Sequence, residues 1–337
     1  MPMLFRVFRL LLCAADRMTF FSVLLALILE QLRALDSNNV VSRLLRRHAE
    51  RTGRGMDGGR GKHGVLAWLS VVLPWTVGVG VIYYLLWHVS FVLAFAWNVA
   101  VLYLTLGFRQ FSHYFTDIQV ALNNDDVPLA RELLQTWTGI ETRDMPVSEI
   151  VRNTLVYAVI ASHRHVFGVF FWFLIPIGPA GAVCYRIASH LAATWTEPSA
   201  EHSPAFANFA RRAFFYIDWI PARLTALGFA IVGNFEDAVY AWRHYGGVWA
   251  DTNEGVLLAA GSGALGARLV EPQAEQTATE SFGTFDTMLD PYNRPAPLPV
   301  GDDCTPRTLR SAVGLVWRAV ILWMILLLMV TLSVWLA

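Results

Sequence analysis

The chain has 337 residues, of which 55% are hydrophobic and 15% are charged, and its 26 basic residues balance its 26 acidic residues. A soluble domain usually carries about a quarter charged residues, so this composition favours a membrane protein, and the zero net charge argues against nucleic-acid binding. The three cysteines have neither metal-ligand spacing nor a disulfide pattern, so we predict no metal site.

Residues 1–17 form a basic and apolar stretch with Arg6, Arg9 and Arg17, followed directly by Met18. The stretch weakly resembles a secretory signal, but no small-residue cleavage site stands at the right distance. An upstream start codon, added to a protein that begins at Met18, explains the stretch equally well. No functional inference rests on it.

Long uncharged runs predict membrane-spanning helices. Residues 64–108 contain His88 as their only group that titrates near neutral pH, and this run is long enough for two spans of about 20 residues. A shorter apolar run ends at Glu30 and favours a tilted or partly interfacial helix. The predicted spans are, in chain order, residues 19–32, 64–86, 90–108, 166–185, 213–232 and 313–336.

These spans predict an all-α fold, a polytopic transmembrane bundle of about six helices with helical cytoplasmic segments. The loop at residues 33–63 carries eight basic and three acidic residues, which places it in the cytoplasm by the positive-inside rule. Residues 109–165 and 233–310 then lie on the same side. Binding of anionic lipid headgroups is the alternative explanation for the basic loop.

The predicted divisions of the chain follow from these spans and loops. They are a doubtful extension (1–17), N-terminal membrane helices with the basic loop (18–108), a cytoplasmic amphipathic helical segment (109–165), central membrane helices (166–232), a cytoplasmic segment with a flexible linker (233–310) and a C-terminal membrane helix (311–337).

The segment at residues 109–165 contains a clear helix signal. Asp125 or Asp126 can cap the helix, Pro128 suits its first turn and Gly139 closes it. Its apolar face consists of Leu129, Leu133, Leu134 and Trp137. We expect Trp137 to pack on the membrane helices.

The segment at residues 233–310 divides into two parts. Residues 259–266 are small and permit close backbone approach, which favours helix packing over a phosphate-binding loop, because no Walker lysine is present. Residues 271–306 are rich in acids and prolines and predict a flexible linker.

Two polar constellations could bind a ligand. Residues 162–165 read Ser-His-Arg-His, and His163 and His165 should point apart on a helix. The cluster is either an interfacial collar or an anion site that uses Arg164 and one imidazole.

Asp218 and Arg223 flank Pro221 inside a predicted span, where ionisable groups are costly. They form either a structural ion pair or a site with a substrate-facing arginine. Glu30 is a third polar group at membrane depth.

Five elements of the sequence resemble the CobD/CbiB family of cobalamin-biosynthesis membrane proteins and its AmpE relatives. Residues 220–226 match its I-P-A-R-L-T-A element, and residues 181–186 resemble P-G-A-x-x-Y-[KR]. Residues 127–139 resemble the D-x-x-x-A-R-x-x-L-x-x-[IW]-x-G segment. Residues 261–269 resemble A-G-A-L-G-V-x-L, and Asn253 falls in the position of S-P-N-[AS]-G.

The resemblance implies a multi-pass protein of the bacterial inner membrane. The cobalamin branch joins an aminopropanol arm to a cobyric-acid carboxylate at the expense of ATP, so ATP and Mg²⁺ are implied only if this ligase activity holds. The expected partners are the lipid bilayer and a corrinoid or another anionic small molecule, with homo-oligomerisation left open. No catalytic residue is assigned. The substrate-binding candidates are Arg186, Asp218, Arg223, Asn253, His163 and Arg164.

The sequence departs from the biosynthetic members in its acids. Their S-V-A-E-N-x-S-D-G element is replaced by residues 158–166, and their N-T-L-D-S-M element by residues 187–192, neither of which contains a carboxylate. A ligase that uses ATP needs carboxylates to hold Mg²⁺. The alternative is therefore a non-catalytic, AmpE-like membrane protein in cell-wall-stress or β-lactamase regulation.

Overall fold

The computed structural model describes residues 18–33, 40–56, 61–175, 178–196, 204–247, 251–269 and 301–336. The described part of the chain is helical apart from turns, short connections and one isolated bridge between Ala267 and Asp302. The prediction of an all-α fold is thus confirmed. Our interpretations of residues 1–17 and of most of the linker lie outside the described residues.

The helices follow one another with short connections. They are α1 (Thr19–Leu32), α2 (Val40–Met56), α3 (Gly61–Val89), α4 (Phe91–Thr105), α5 (Phe108–Asn123), α6 (Val127–Thr138), α7 (Val147–Ser162), a π-helical turn (His163–Phe167), α8 (Gly168–Leu174), α9 (Pro179–Thr196), α10 (Pro204–Val232), α11 (Phe235–Tyr245), α12 (Thr252–Leu265) and α13 (Pro306–Leu336).

Four stretches are long and apolar enough to cross a membrane: His63–Val89, Val147–Leu174, Phe206–Val232 and Pro306–Ser333. Three of them contain most or all of the predicted spans at 64–86, 213–232 and 313–336. The apolar helices α1 and α4 are shorter, with 14 and 15 residues. The chain is therefore a helical membrane protein.

Two predicted spans have wrong boundaries. The span at residues 166–185 is divided, because the apolar helix runs over Val147–Leu174 and α9 begins at Pro179. Ile175 is extended and Gly178 has a φ of 56°, and a proline at the first position of a helix starts a new helix readily. The span at residues 90–108 ends early, since α4 stops at Thr105 and α5 starts at Phe108.

The predicted amphipathic helix is confirmed as α6. The Asp126 carboxylate accepts a hydrogen bond from the Leu129 N–H at 3.1 Å, and Gly139 ends the helix with a φ of 75°. The Trp137 ring stacks on Tyr114 and also contacts Tyr157 of α7. The expected packing of Trp137 on an apolar membrane helix is therefore confirmed.

The chain forms two compact units. The first unit comprises residues 1–111, 163–221 and 323–337, and the second comprises residues 112–162 and 222–322. In the first unit, α2, α3, α9 and α10 share an apolar core that includes Val71, Leu191, Trp195 and Phe206.

In the second unit, α11 packs closely on α12. A β-carbon at Gly263 would overlap the backbone of Asp237, so the small residues of α12 permit this contact. The expectation of helix packing for residues 259–266 is confirmed, because Thr252–Leu265 is a helix.

Candidate functional site

A π-helical turn at His163–Phe167 interrupts the apolar helix that begins at Val147. Such turns are rare and occur frequently at functional sites. The turn presents His163, Arg164 and His165 to different surroundings within the first unit. His163 contacts Asp218, whereas His165 contacts Arg186, so the two imidazoles point apart as predicted.

Asp218 is the centre of a buried polar cluster. Its Oδ1 lies 2.8 Å from His163 Nε2 and accepts a second hydrogen bond, also of 2.8 Å, from the Tyr185 hydroxyl. Exposure of the three residues is 1% for His163, 3% for Asp218 and 0% for Tyr185. Since an ionised carboxylate only accepts hydrogen bonds, His163 Nε2 carries the proton in this contact. These two donors compensate for the burial of the carboxylate.

Beside this cluster lies a cavity of about 530 Å³ whose lining combines basic and apolar side chains. These side chains come from α2, α3, α4, the π-helical turn and α9. The basic residues are Arg46, Arg164, His165, Arg186 and His190. The apolar residues include Leu45, Trp75, Val79, Trp97, Val101 and Leu104. No carboxylate is among the described residues that line the cavity.

The charge of the cavity resides mainly on its arginines. Arg186 Nη2 lies 3.0 Å from His165 Nδ1, which therefore accepts the hydrogen bond. Burial and then the charge of Arg164 lower the pKa of Arg186 to about 10, so Arg186 remains a cation at neutral pH. The Arg164 guanidinium lies 5.6 Å from the centre of the Phe214 ring.

His190 is, like His165, a neutral member of this set. Burial, followed by the charges of Arg46 and Arg186, lowers its pKa to about 4. Its buried Nε2 has no hydrogen-bond partner among the described residues, which leaves it available to a ligand. Three guanidinium groups without a carboxylate among the described lining residues suit a phosphate or carboxylate ligand.

Two further candidates meet in the second unit. Arg223 Nη1 donates a hydrogen bond of 3.0 Å to Asn253 Oδ1. Asn253 is 1% exposed and lies in the first turn of α12, where Asp251 caps the helix by accepting from its N–H at 2.8 Å. Arg223 therefore has a side-chain partner in Asn253, whereas Asp218 bonds to His163 and Tyr185.

The six predicted candidates thus fall into three pairs. Arg164 and Arg186 line the cavity, His163 bonds to Asp218, and Arg223 bonds to Asn253. Sequence reasoning missed Arg46, His190 and Tyr185 as site residues, and it considered His165 only as one of two imidazoles that could accompany Arg164. His190 could have been found, because it follows Arg186 by four residues and so lies on the same face of α9.

Comparisons with known proteins identify the family. The family model described as CobD/Cbib protein matches residues 23–291. A protein of Stutzerimonas stutzeri named cobalamin biosynthesis protein CobD is 29% identical over 315 residues, covering 92% of this chain and 97% of that protein. A protein of the same name from Chromobacterium violaceum is 32% identical over 225 residues, which is 67% of each chain. No solved structure matches the chain. Since the family model covers most of its length, this chain is a member of the CobD/CbiB family.

Proposed function

We propose that this chain acts in cobalamin biosynthesis as a CobD/CbiB-type membrane protein that binds an anionic group of its substrate in the arginine-lined cavity. The observation that carries the proposal is the convergence of Arg46, Arg164 and Arg186 on one cavity without a carboxylate among its described lining residues. The names of the two relatives support the pathway. The proposed location is the bacterial inner membrane, with several passes and with residues 33–63 in the cytoplasm.

The size and lining of the cavity support a limited part of a corrinoid as the ligand. Pockets for small molecules measure roughly 300–1,000 Å³ and combine apolar walls with a few polar groups. A volume of about 530 Å³ suits an acidic side arm, or a small phosphorylated amine, better than a complete corrin ring. Arg164 and Arg186 would bind the anion, and Trp75 and Trp97 would contact its apolar part.

The resemblance to the cobalamin branch of the family implies amide formation between an aminopropanol arm and a cobyric-acid carboxylate. ATP, when bound with Mg²⁺, would supply the activation of that carboxylate. The cavity does not fit Mg²⁺, because this ion requires oxygen ligands and the described lining is cationic or apolar. The described residues also contain no group of three or more histidine, cysteine or acidic side chains that could hold a metal. The proposal therefore concerns substrate binding and includes no metal-dependent step.

The arginine-lined cavity also favours a second candidate, a non-catalytic AmpE-like membrane protein in cell-wall-stress or β-lactamase regulation. A cavity without carboxylates among its described lining residues can bind an anion as a signal without converting it. This candidate predicts ligand binding in the absence of corrinoid chemistry.

A complementation assay separates the two candidates. The chain would be expressed in a strain that lacks its own cobinamide-forming synthase and needs supplied cobinamide for growth. Growth without the supplement is expected for the wild type and for Arg143→Gln, an exposed arginine in the second unit, and it should be lost with Arg186→Gln. If the wild type does not restore growth although the membrane contains normal amounts of the protein, the synthase hypothesis is ruled out and the regulatory candidate remains.

A further inference from the structure

One face of helix α2 packs on the apolar core of the first unit, to which the helix itself belongs. Leu45 and Ala49 belong to this face and lie against the core that contains Val71. The Trp75 indole N–H of α3 donates a hydrogen bond of 3.2 Å to His48 Nδ1. This bond and the shared apolar core place α2 along the first half of α3.

The opposite face of α2 is open and basic. Arg43, Arg47 and Arg51 follow one another at intervals of four residues, so they lie on one side of the helix, and all three are exposed. Glu50 is the single exposed acid in the described part of this helix. Arg47, Glu50 and Arg51 line a shallow depression on the surface. We call Arg43, Arg47 and Arg51 the arginine face.

The chain places the arginine face beside a membrane helix. Helix α2 ends at Met56, and the candidate span begins at His63. Guanidinium groups are costly in hydrocarbon, so in the bilayer the arginine face lies at the level of the lipid headgroups. The exposed large side chains of α3 itself are mainly apolar, among them Leu66, Leu73, Val81 and Leu85.

We propose that the arginine face of α2 binds the phosphate headgroups of anionic phospholipids in the surrounding bilayer. Two features select this ligand: the excess of positive charge on the face, where three arginines accompany one acid, and the closeness of α2 in the chain to the span that begins at His63. A basic segment next to a membrane helix attracts anionic lipid in this way. The inference is independent of the proposed function, because the arginine face does not line the cavity.

The test uses the full chain, purified in a zwitterionic detergent and titrated with short-chain phosphatidylglycerol or phosphatidylcholine while binding is followed by thermophoresis. The wild type should bind phosphatidylglycerol more tightly than phosphatidylcholine, and higher salt should weaken this binding. The triple variant R43Q/R47Q/R51Q should weaken it by about tenfold or more. The matched control R143Q/R243Q/R307Q removes three exposed arginines elsewhere and should bind like the wild type.

Two further variants test whether the bound lipid lies on the arginine face or in the cavity. Glu50→Gln removes the acid from the open face and should tighten phosphatidylglycerol binding; this result also tests the proposal if the triple variant does not fold. Arg186→Gln alters the cavity and should leave lipid binding unchanged, whatever its effect on growth. Equal affinity for the two lipids, or weaker binding by Glu50→Gln, would overturn the proposal. Competition by millimolar inorganic phosphate would also count against it and would identify a general anion site.

Discussion

The ring of Tyr185 lies directly against Gly168, in the space that a β-carbon at position 168 would fill. This close contact lets the Tyr185 hydroxyl reach the Asp218 carboxylate at 2.8 Å. The glycine therefore supports the buried polar cluster, although it contributes no polar group itself.

We expect Gly168→Ala to displace Tyr185 and to destabilise the protein by about 1–3 kcal/mol, the usual cost of adding a methyl group to a filled interior. Thermal unfolding in detergent measures the effect. The matched control is Gly78→Ala, because no atom lies within 4 Å of a β-carbon at that helical glycine. An unchanged midpoint for Gly168→Ala would mean that Tyr185 can move aside at little cost.

Removal of the Asp218 carboxylate should have a larger effect. Asp218→Ala leaves His163 and Tyr185 without their shared acceptor inside the protein, and breaking a buried pair in this way costs about 3–5 kcal/mol. Tyr185→Phe removes one donor and should cost about 1–3 kcal/mol.

The control for this comparison is Asp303→Ala. Asp303 pairs with Arg268 at 3.4 Å, but its side chain is 82% exposed, so the loss of this pair should have little effect. Denaturation of all three variants under one condition ranks their stabilities. Similar midpoints for Asp218→Ala and Asp303→Ala would contradict the assigned role of the buried cluster.

The elements that could be predicted from the sequence are those with local signals. Helix α6 has its cap at Asp126, its proline at position 128 and its closing Gly139 within 14 residues, so no long-range information is needed. The turn near Ile175 was missed because the residues on both sides of it are apolar. Hydropathy therefore shows one continuous span where the chain leaves one helix and enters another.

The cavity could not be predicted in the same way. Its arginines come from α2, the π-helical turn and α9, and no periodicity relates positions 46, 164 and 186. In the sequence, Arg46 is one of several basic residues in the loop at residues 33–63, and nothing distinguishes it from the others. The bond between His163 and Asp218 likewise joins residues 55 positions apart, and only the packing of the helices reveals it.

The stability of the protein should depend on pH through His190. Its folded pKa of about 4 lies below the ordinary value of 6.5, so the unfolded chain binds the proton more readily. Stability is unaffected by this group above pH 6.5, falls as the pH decreases towards 4 and levels off below that value. At pH 5 the loss amounts to about 2 kcal/mol.

His190→Gln removes this group and should reduce the loss of stability between pH 7.5 and pH 5. Unfolding midpoints at the two pH values provide the measurement. His113→Gln is the control, because the side chain of His113 is 75% exposed. If the wild type and His190→Gln lose the same stability, the pH dependence comes from other groups.

An anion should stabilise the protein by binding in the cavity. We expect millimolar inorganic phosphate to raise the unfolding midpoint, since a ligand at ten times its dissociation constant stabilises the folded state by about 1.4 kcal/mol. Arg186→Gln should abolish most of this gain, whereas Arg143→Gln should retain it. Equal gains for the two variants would place the bound phosphate outside the cavity.

The glycines of α12 provide a test between packing and ligand binding. A β-carbon at Gly263 would overlap the Asp237 backbone, whereas one at Gly314 in α13 would meet no atom within 4 Å. Gly263→Ala should therefore destabilise the protein by about 1–3 kcal/mol. Gly314→Ala should be neutral or stabilise it by up to about 1 kcal/mol, because alanine favours the helix.

Thermal unfolding and phosphate titration of both variants are the measurements. A phosphate-binding loop at residues 259–266 would give the opposite result, in which Gly263→Ala weakens phosphate binding and leaves stability unchanged.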